Sequence, residues 1–129
     1  MKDGFIKVAA ATSEIIPANC DNNAAEIIKL INQADKLGVD LVVFPELCVT
    51  GVTCGDLFLQ QALISSAIEA LNTIIEASKN IEMIILIGLP VKHNSKLYNC
   101  AAVIKKGTFS RMSAGSIPTW SGIRRGFPA

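Results

Sequence analysis

Apolar and polar positions recur along the chain with two alternating periods, and each change of period marks an element. Phe5-Ile-Lys-Val-Ala-Ala-Ala11 contains neither glycine nor proline and predicts a first strand. Thr12 to Asp21, which includes Pro17, reads as a loop. Asn23 with Glu26 three residues on has the form of a capping box, after which Ala24, Ile27, Ile28, Ile31, Ala34 and Leu37 fall on one helical face. Gly38 stands where a left-handed helix terminus takes glycine. Leu41 to Phe44, between Gly38 and Pro45, is a short unbroken apolar run. It predicts a strand buried on both faces, the pattern of a parallel sheet, so residues 5 to 44 form a βαβ unit with a right-handed crossover expected.

Past Glu46, Thr50-Gly-Val-Thr-Cys-Gly55 reads as a loop, and Asp56-Leu-Phe-Leu can start a turn of helix. A longer helix is predicted over Gln61 to Lys79, with Ile64, Ile68, Leu71 and Ile75 as its apolar stripe. Met83 to Leu86 is the third strand, ended by Gly88 and Pro90. Lys92 to Lys96 is a polar turn, Leu97 to Ile104 a strand, and Lys105-Lys-Gly-Thr108 a tight turn into a fifth short strand near Phe109. From Ser110 to Ser116, and again from Ser121 to Ala129, small residues and arginine without periodicity predict loop or disorder. The fold class is α/β, with a hairpin added to the parallel unit.

Composition narrows the function. With 129 residues the chain is one domain or part of one, and half of it is hydrophobic. Twelve Lys and Arg against eleven Asp and Glu favour neither nucleic acid nor an anionic membrane as a partner. The longest apolar runs, such as Met83 to Ile87, are too short to span a bilayer, and the N-terminus has no apolar signal core, so a cytoplasmic protein is expected. Cys20, Cys48, Cys54 and Cys100 show no C-x-x-C spacing and His93 is the single histidine, which argues against a metal site and for free buried thiols. Neither G-x-G-x-x-G nor G-x-x-x-x-G-K-[ST] occurs.

Candidate chemistry collects at one place. In open α/β sheets ligands bind beyond the carboxyl ends of the strands, and there the Leu41 run delivers Glu46. A carboxylate so placed is a candidate general base, and a solvated loop acid is the competing reading. Cys48, two residues from Glu46, is rejected as an isolated nucleophile because a neighbouring carboxylate disfavours the thiolate. A Cys100 and His93 pair has no specific spacing to support it, and His93 reads as a solvated turn residue.

Phe44-Pro-Glu-Leu-Cys-Val-Thr-Gly51, preceded by Gly38-Val-Asp-Leu-Val-Val and followed by Gly55-Asp-Leu-Phe-Leu59, resembles the glutamate motif of the nitrilase, or carbon–nitrogen hydrolase, superfamily. The extension Thr53-Cys-Gly-Asp-Leu-Phe-Leu-Gln60 narrows the resemblance to the glutaminase domain of bacterial glutamine-dependent NAD synthetases. Ile6 to Thr12, Gly88-Leu-Pro90 and Leu97-Tyr-Asn-Cys-Ala-Ala-Val-Ile104 fit that domain in order and spacing. The resemblance implies an α-β-β-α sandwich, of which this chain holds about half. Residues 1–108 would be the N-terminal part of the domain, and 109–129 a divergent or frameshifted tail.

It also implies a Glu, Lys, Cys triad acting on the glutamine side-chain amide, with Glu46 as the base for a cysteine nucleophile, a lysine at the oxyanion, and a thioester that water hydrolyses. Desolvation at the strand end would supply the raised pKa that the base needs. The freed ammonia would serve a C-terminal synthetase domain that binds ATP and Mg and converts deamido-NAD to NAD; no cofactor is implied for this chain itself. Aligning Ile117-Pro-Thr-Trp-Ser121 on the end of the family's lysine segment puts Ala114 where the lysine would be and Trp120 where an aromatic residue lines the glutamine pocket. Val52 stands where the family usually has tyrosine, and the nucleophilic cysteine is expected beyond residue 129. A glutaminase part inactive alone is therefore the first expectation. A non-catalytic interaction fragment that associates as a homo-oligomer through an exposed sheet edge is the second, and a generic amidase of the superfamily the third.

Overall fold

The computed structural model describes residues 4–51 and 61–116. Five strands and two helices follow one another as β1 (Val8–Ala10), α1 (Cys20–Lys36), β2 (Leu41–Val43), α2 (Gln61–Ala77), β3 (Ile84–His93), β4 (Lys96–Lys105) and β5 (Thr108–Ser116). The strands form one sheet in the order β1-β2-β3-β4-β5. The first three are parallel, Val8 and Ile84 both lying opposite Leu41, and β3, β4 and β5 continue as antiparallel hairpins.

Helix α1 starts earlier than its pattern suggests. Asn19 is the N-cap, its side chain accepting from the Asn22 N–H at 3.1 Å. Asn23 is not a cap. It lies inside the helix, fully buried, and its side chain bonds the backbone of Ile16 and Val49 instead. At the other end Gly38 has a φ of +73°, and its N–H and that of Val39 close onto Asp35 and Ala34 carbonyls, the left-handed terminus expected there. Leu37, assigned to the apolar face, caps the helix and is exposed.

Both helices cover the same face of the sheet. Ala24, Ile27, Ile31 and Ala34 of α1, with Leu63, Ala67, Ala70, Leu71 and Ile74 of α2, enclose one core with Val42, Ile85, Ile87, Leu89, Cys100, Ala102 and Ile104 of the strands. Fully burying each large aliphatic side chain there contributes about 1.5–3 kcal/mol. The stripe of α2 is rotated from the predicted one. Ile64 and Leu71 are buried, but Ile68 is 36% exposed, and Leu63, Ala67, Ala70 and Ile74 face the core, so the buried stripe includes two alanines that a count of large apolar residues passes over.

The other face of the sheet is open. Strand β2 is buried on one face only: Val42 is inaccessible while Val43 is 36% exposed, and Ile6 and Val8 are 57% and 56% exposed. The expectation of burial on both faces is corrected by this, and a sheet with helices on one side is the layout of one half of a sandwich.

Two further expectations change. Strand β3 does not end at Gly88 and Pro90 but runs on to His93. The Gly88 carbonyl accepts from Val49 N–H, on the β2 side, and residues two apart point the same way, so the position where Pro90 lacks a donor is turned away from β4. Ser110 to Ser116, expected as loop, belongs to the nine-residue strand β5. Its pairing with β4 is a backbone ladder, which small residues without periodicity satisfy as well as apolar ones. The two hairpin turns, Asn94-Ser95 and Lys106-Gly107, have φ positive at both residues, as two-residue turns matching strand twist require.

Candidate functional site

After Val43 the chain leaves the sheet through Phe44 and Pro45 and turns back over residues 46–50. Leu47, Cys48, Val49 and Thr50 are all fully buried, whereas Glu46 at the head of the turn is exposed. The turn is held by Thr50 and Gly51 N–H groups on the Leu47 carbonyl and by the Val49 N–H on Gly88. Leu47 itself has a φ of +52°, unusual for a branched residue and maintained only because its surroundings fix it.

What lets the turn lie so close is Gly88. A Cβ built there would stand 2.5 Å from the Leu47 nitrogen and 2.8 Å from the Glu46 Cα, both backbone atoms. Asn23 clamps the same turn from below: its Nδ2 donates to Val49 O at 2.8 Å and to Ile16 O at 2.9 Å, while its Oδ1 accepts from Ile16 N–H at 2.8 Å. Glu46 is thus exposed on a segment whose backbone is fixed on two sides.

A cavity of about 310 Å³ opens beside it, lined by Val43, Phe44, Leu86, Gly88, Asn99 and Ala101 among others. Asn99 reaches Glu46 across the sheet, its Nδ2 donating to Oε2 at 3.3 Å. The remaining wall is apolar, the setting in which a few convergent polar groups define a small-molecule site. A larger cavity, about 580 Å³, lies between α2 and the β3–β4 turn, away from Glu46.

The other candidates separate from this site. Cys48 has its thiol pushed up to about 12, and the cause is burial rather than the neighbouring carboxylate first invoked. Its Sγ donates to Gly88 O at 3.6 Å, a packing role. Cys100 is likewise raised by burial. His93 is exposed and lies opposite Lys96, while Cys100 lies opposite Leu89, so the two are four ladder positions, roughly 13 Å, apart and cannot act together. Ala114 lies in β5 in register with Cys100. Val52, Cys54 and Trp120 fall outside the described residues. Among the described residues, no group of three or more His, Cys, Asp or Glu could hold a metal ion, and no helix is long and apolar enough to cross a membrane.

Sequence reasoning missed Asn99, Gly88 and Asn23 as parts of the site. Glycine inside an apolar strand pattern is the one available signal, since it marks a close approach of another backbone.

Residues 7–114 match the carbon-nitrogen hydrolase family. The chain belongs to that family. It is 31% identical over 118 residues to the glutamine-dependent NAD(+) synthetase of Mycobacterium leprae, a match that covers 91% of this chain and 17% of that protein. It is 34% identical over 104 residues to the enzyme of the same name from Xylella fastidiosa, covering 80% of this chain and 19% of that protein. Among solved structures, a glutamine-dependent NAD(+) synthetase from Cytophaga hutchinsonii superimposes with a TM-score of 0.82 at 28% identity, over 96% of this chain and 22% of that one. An amidase from Nesterenkonia sp. shares the fold at a TM-score of 0.73 and 16% identity, over 89% of this chain and 44% of that one. The chain therefore spans about a fifth of the synthetases it matches, and the sheet with its two helices is a piece of the nitrilase-type fold.

Proposed function

We infer that this chain is the base-bearing part of a glutamine amidohydrolase site whose ammonia supports ATP-dependent conversion of deamido-NAD to NAD. The observation that carries this is Glu46, presented at the carboxyl end of β2 on a fixed turn beside an apolar cavity, in a segment that matches the family throughout. In the reaction a thiol gives its proton to Glu46 as sulfur attacks the glutamine side-chain amide carbon. The C–N bond then breaks, ammonia leaves with that proton, and water cleaves the thioester to glutamate. Cys48 and Cys100 are unsuited to supply the thiol, burial raising the pKa of both, and Cys20 is buried in the core at the start of α1. Ala114 at the lysine position offers no cation for the oxyanion, and Trp120 is assigned to the glutamine pocket. On this reading the nucleophilic thiol and the lysine are supplied by a part of the family domain that these 129 residues do not include, and the chain alone is expected to be inactive. ATP and Mg belong to the synthetase region, since the residues here include no phosphate-cradling glycine loop.

The test is complementation. The purified chain is mixed with the Cytophaga hutchinsonii synthetase from which the matching segment has been removed, and ammonia release from glutamine is followed. No release from either part alone, release from the mixture, and its loss with Glu46→Ala are expected. Release that survives Glu46→Ala refutes the base assignment.

A second reading has its own observation. The exposed Ile6, Val8 and Val43 form an apolar sheet face that favours a non-catalytic fragment associating as a homo-oligomer. A monomer by light scattering counts against it.

A further inference from the structure

A base that works through one oxygen needs its other oxygen held, and the structure shows which oxygen is held and by what. Asn99 Nδ2 donates to Glu46 Oε2 at 3.3 Å. The donor is well placed to stay put: β4 lies between β3 and β5, so Asn99 has Pro90 on one side and Gly115 on the other in the ladders. The acceptor is fixed from its own side, because Gly88 presses on the Glu46 and Leu47 backbone. The contact joins residues 53 positions apart in the sequence and lies on the wall of the cavity beside Glu46.

The chemistry of the pair is specific. An amide nitrogen is a donor only, so the oxygen it holds must offer a lone pair, and since a carbonyl oxygen accepts better than a hydroxyl oxygen the proton is favoured on the other one. The amide is also neutral. Among the described residues Glu46 makes no ion pair, and a cation in the place of Asn99 would oppose proton uptake by favouring the carboxylate. An amide anchors the group without that opposition.

We propose that Asn99 is a positioning residue for Glu46, its amide holding Oε2 so that Oε1 is the oxygen that takes and returns the proton. The proposal rests on the reading of Glu46 as the general base. The proton lost by the attacking thiol forms its bond to Oε1, while the Nδ2–H···Oε2 hydrogen bond is kept through both protonation states.

Nuclear magnetic resonance on the whole 129-residue chain tests the contact without any need for turnover. The two Asn99 side-chain amide protons are followed as Glu46 is protonated by acid. One is expected to move upfield as the carboxylate is neutralised, and the movement is expected to vanish in Glu46→Ala with the backbone spectrum retained. Asn99 amide protons indifferent to both changes overturn the proposal. In the complementation assay, Asn99→Leu is expected to lower kcat about tenfold or more with KM unchanged, the loss of one hydrogen bond to a charged group. Asn99→Asp is expected to be worse, because a second carboxylate repels the first. Unchanged kcat in Asn99→Leu overturns the proposal. If the resonances respond but ammonia release survives Glu46→Ala, the base reading falls and takes the role of Asn99 with it, while the contact itself stands.

Discussion

Replacing Asn23 by alanine tests how the turn that carries Glu46 is held. Asn23 is fully buried and makes three hydrogen bonds, two to Ile16 and one to Val49. The two bonds to Ile16 are only part-buried and its carbonyl also accepts from the Asn19 N–H, so their loss costs about 1 kcal/mol each. Val49 is fully buried, and a carbonyl left unpaired there costs about 1–3 kcal/mol. Asn23→Ala should therefore destabilise by about 3–5 kcal/mol, a large share of the ~5–15 kcal/mol typical of a domain. Asn23→Asp sharpens the test. It keeps an acceptor for the Ile16 N–H but turns a carboxylate oxygen toward two carbonyls, so at neutral pH it should be worse than alanine. On acidification, once the new carboxyl can donate, the gap should narrow. Urea unfolding followed by circular dichroism gives all three stabilities. A loss under about 1 kcal/mol for Asn23→Ala, or Asn23→Asp more stable than Asn23→Ala at neutral pH, would refute the reasoning.

Gly88→Ala brings a Cβ to 2.5 Å from the Leu47 nitrogen, and because the clash is with backbone the turn must lift. We expect about 1–3 kcal/mol of destabilisation by the same unfolding assay. Cys48 should resist alkylation by iodoacetamide in the folded chain up to strongly alkaline pH and react at once in urea, since burial holds its thiol near 12; rapid native modification would contradict this. Asp40, held low by the Lys7 backbone N–H, and Glu82, held low by the Lys106 ammonium, have folded values below 3.8 and 4.5. Their stabilising contribution is therefore present above those pH values and lost as pH falls through the lowered ones. An Asp40→Asn, Glu82→Gln double variant should show a flatter stability profile under acid, and an unchanged slope would count against the assignment.

The spacing of apolar residues located β1 to β4 and both helices, because burial on one side writes itself into that spacing, and the tight turn at Lys105 to Thr108 pointed to the start of β5. The spacing placed Glu46 past the end of β2 for the same reason, and the family motif around Phe44 to Gly51 gave that carboxylate its role. What it could not show was which polar residues meet across the sheet. Asn99 joins Glu46 only through the register that sets Pro90 opposite Asn99, a pairing with no local signature. Asn23 looked like a helix cap since a cap and a buried clamp call for the same side chain. Ile68 looked like core because periodicity fixes a face only to within one residue, and alanine at 67 and 70 drew the true face aside. β5 was invisible where its pairing is carried by backbone rather than by apolar side chains.

Each strand of the sheet lies next to the strand made immediately before it. During synthesis, then, every new strand meets a partner already outside the ribosome, and no gap has to be reserved for one still to come. β2 needs only α1 to bring it back beside β1, β3 needs only α2, and each hairpin closes over a two-residue turn. Pairing of this kind keeps loop closure short and lets the sheet grow vectorially, from the amino end outward. Glu46 and Gly88 are in place on that growing sheet before Asn99 arrives to bind the carboxylate, so the anchor of Glu46 is completed by the fourth strand and not before.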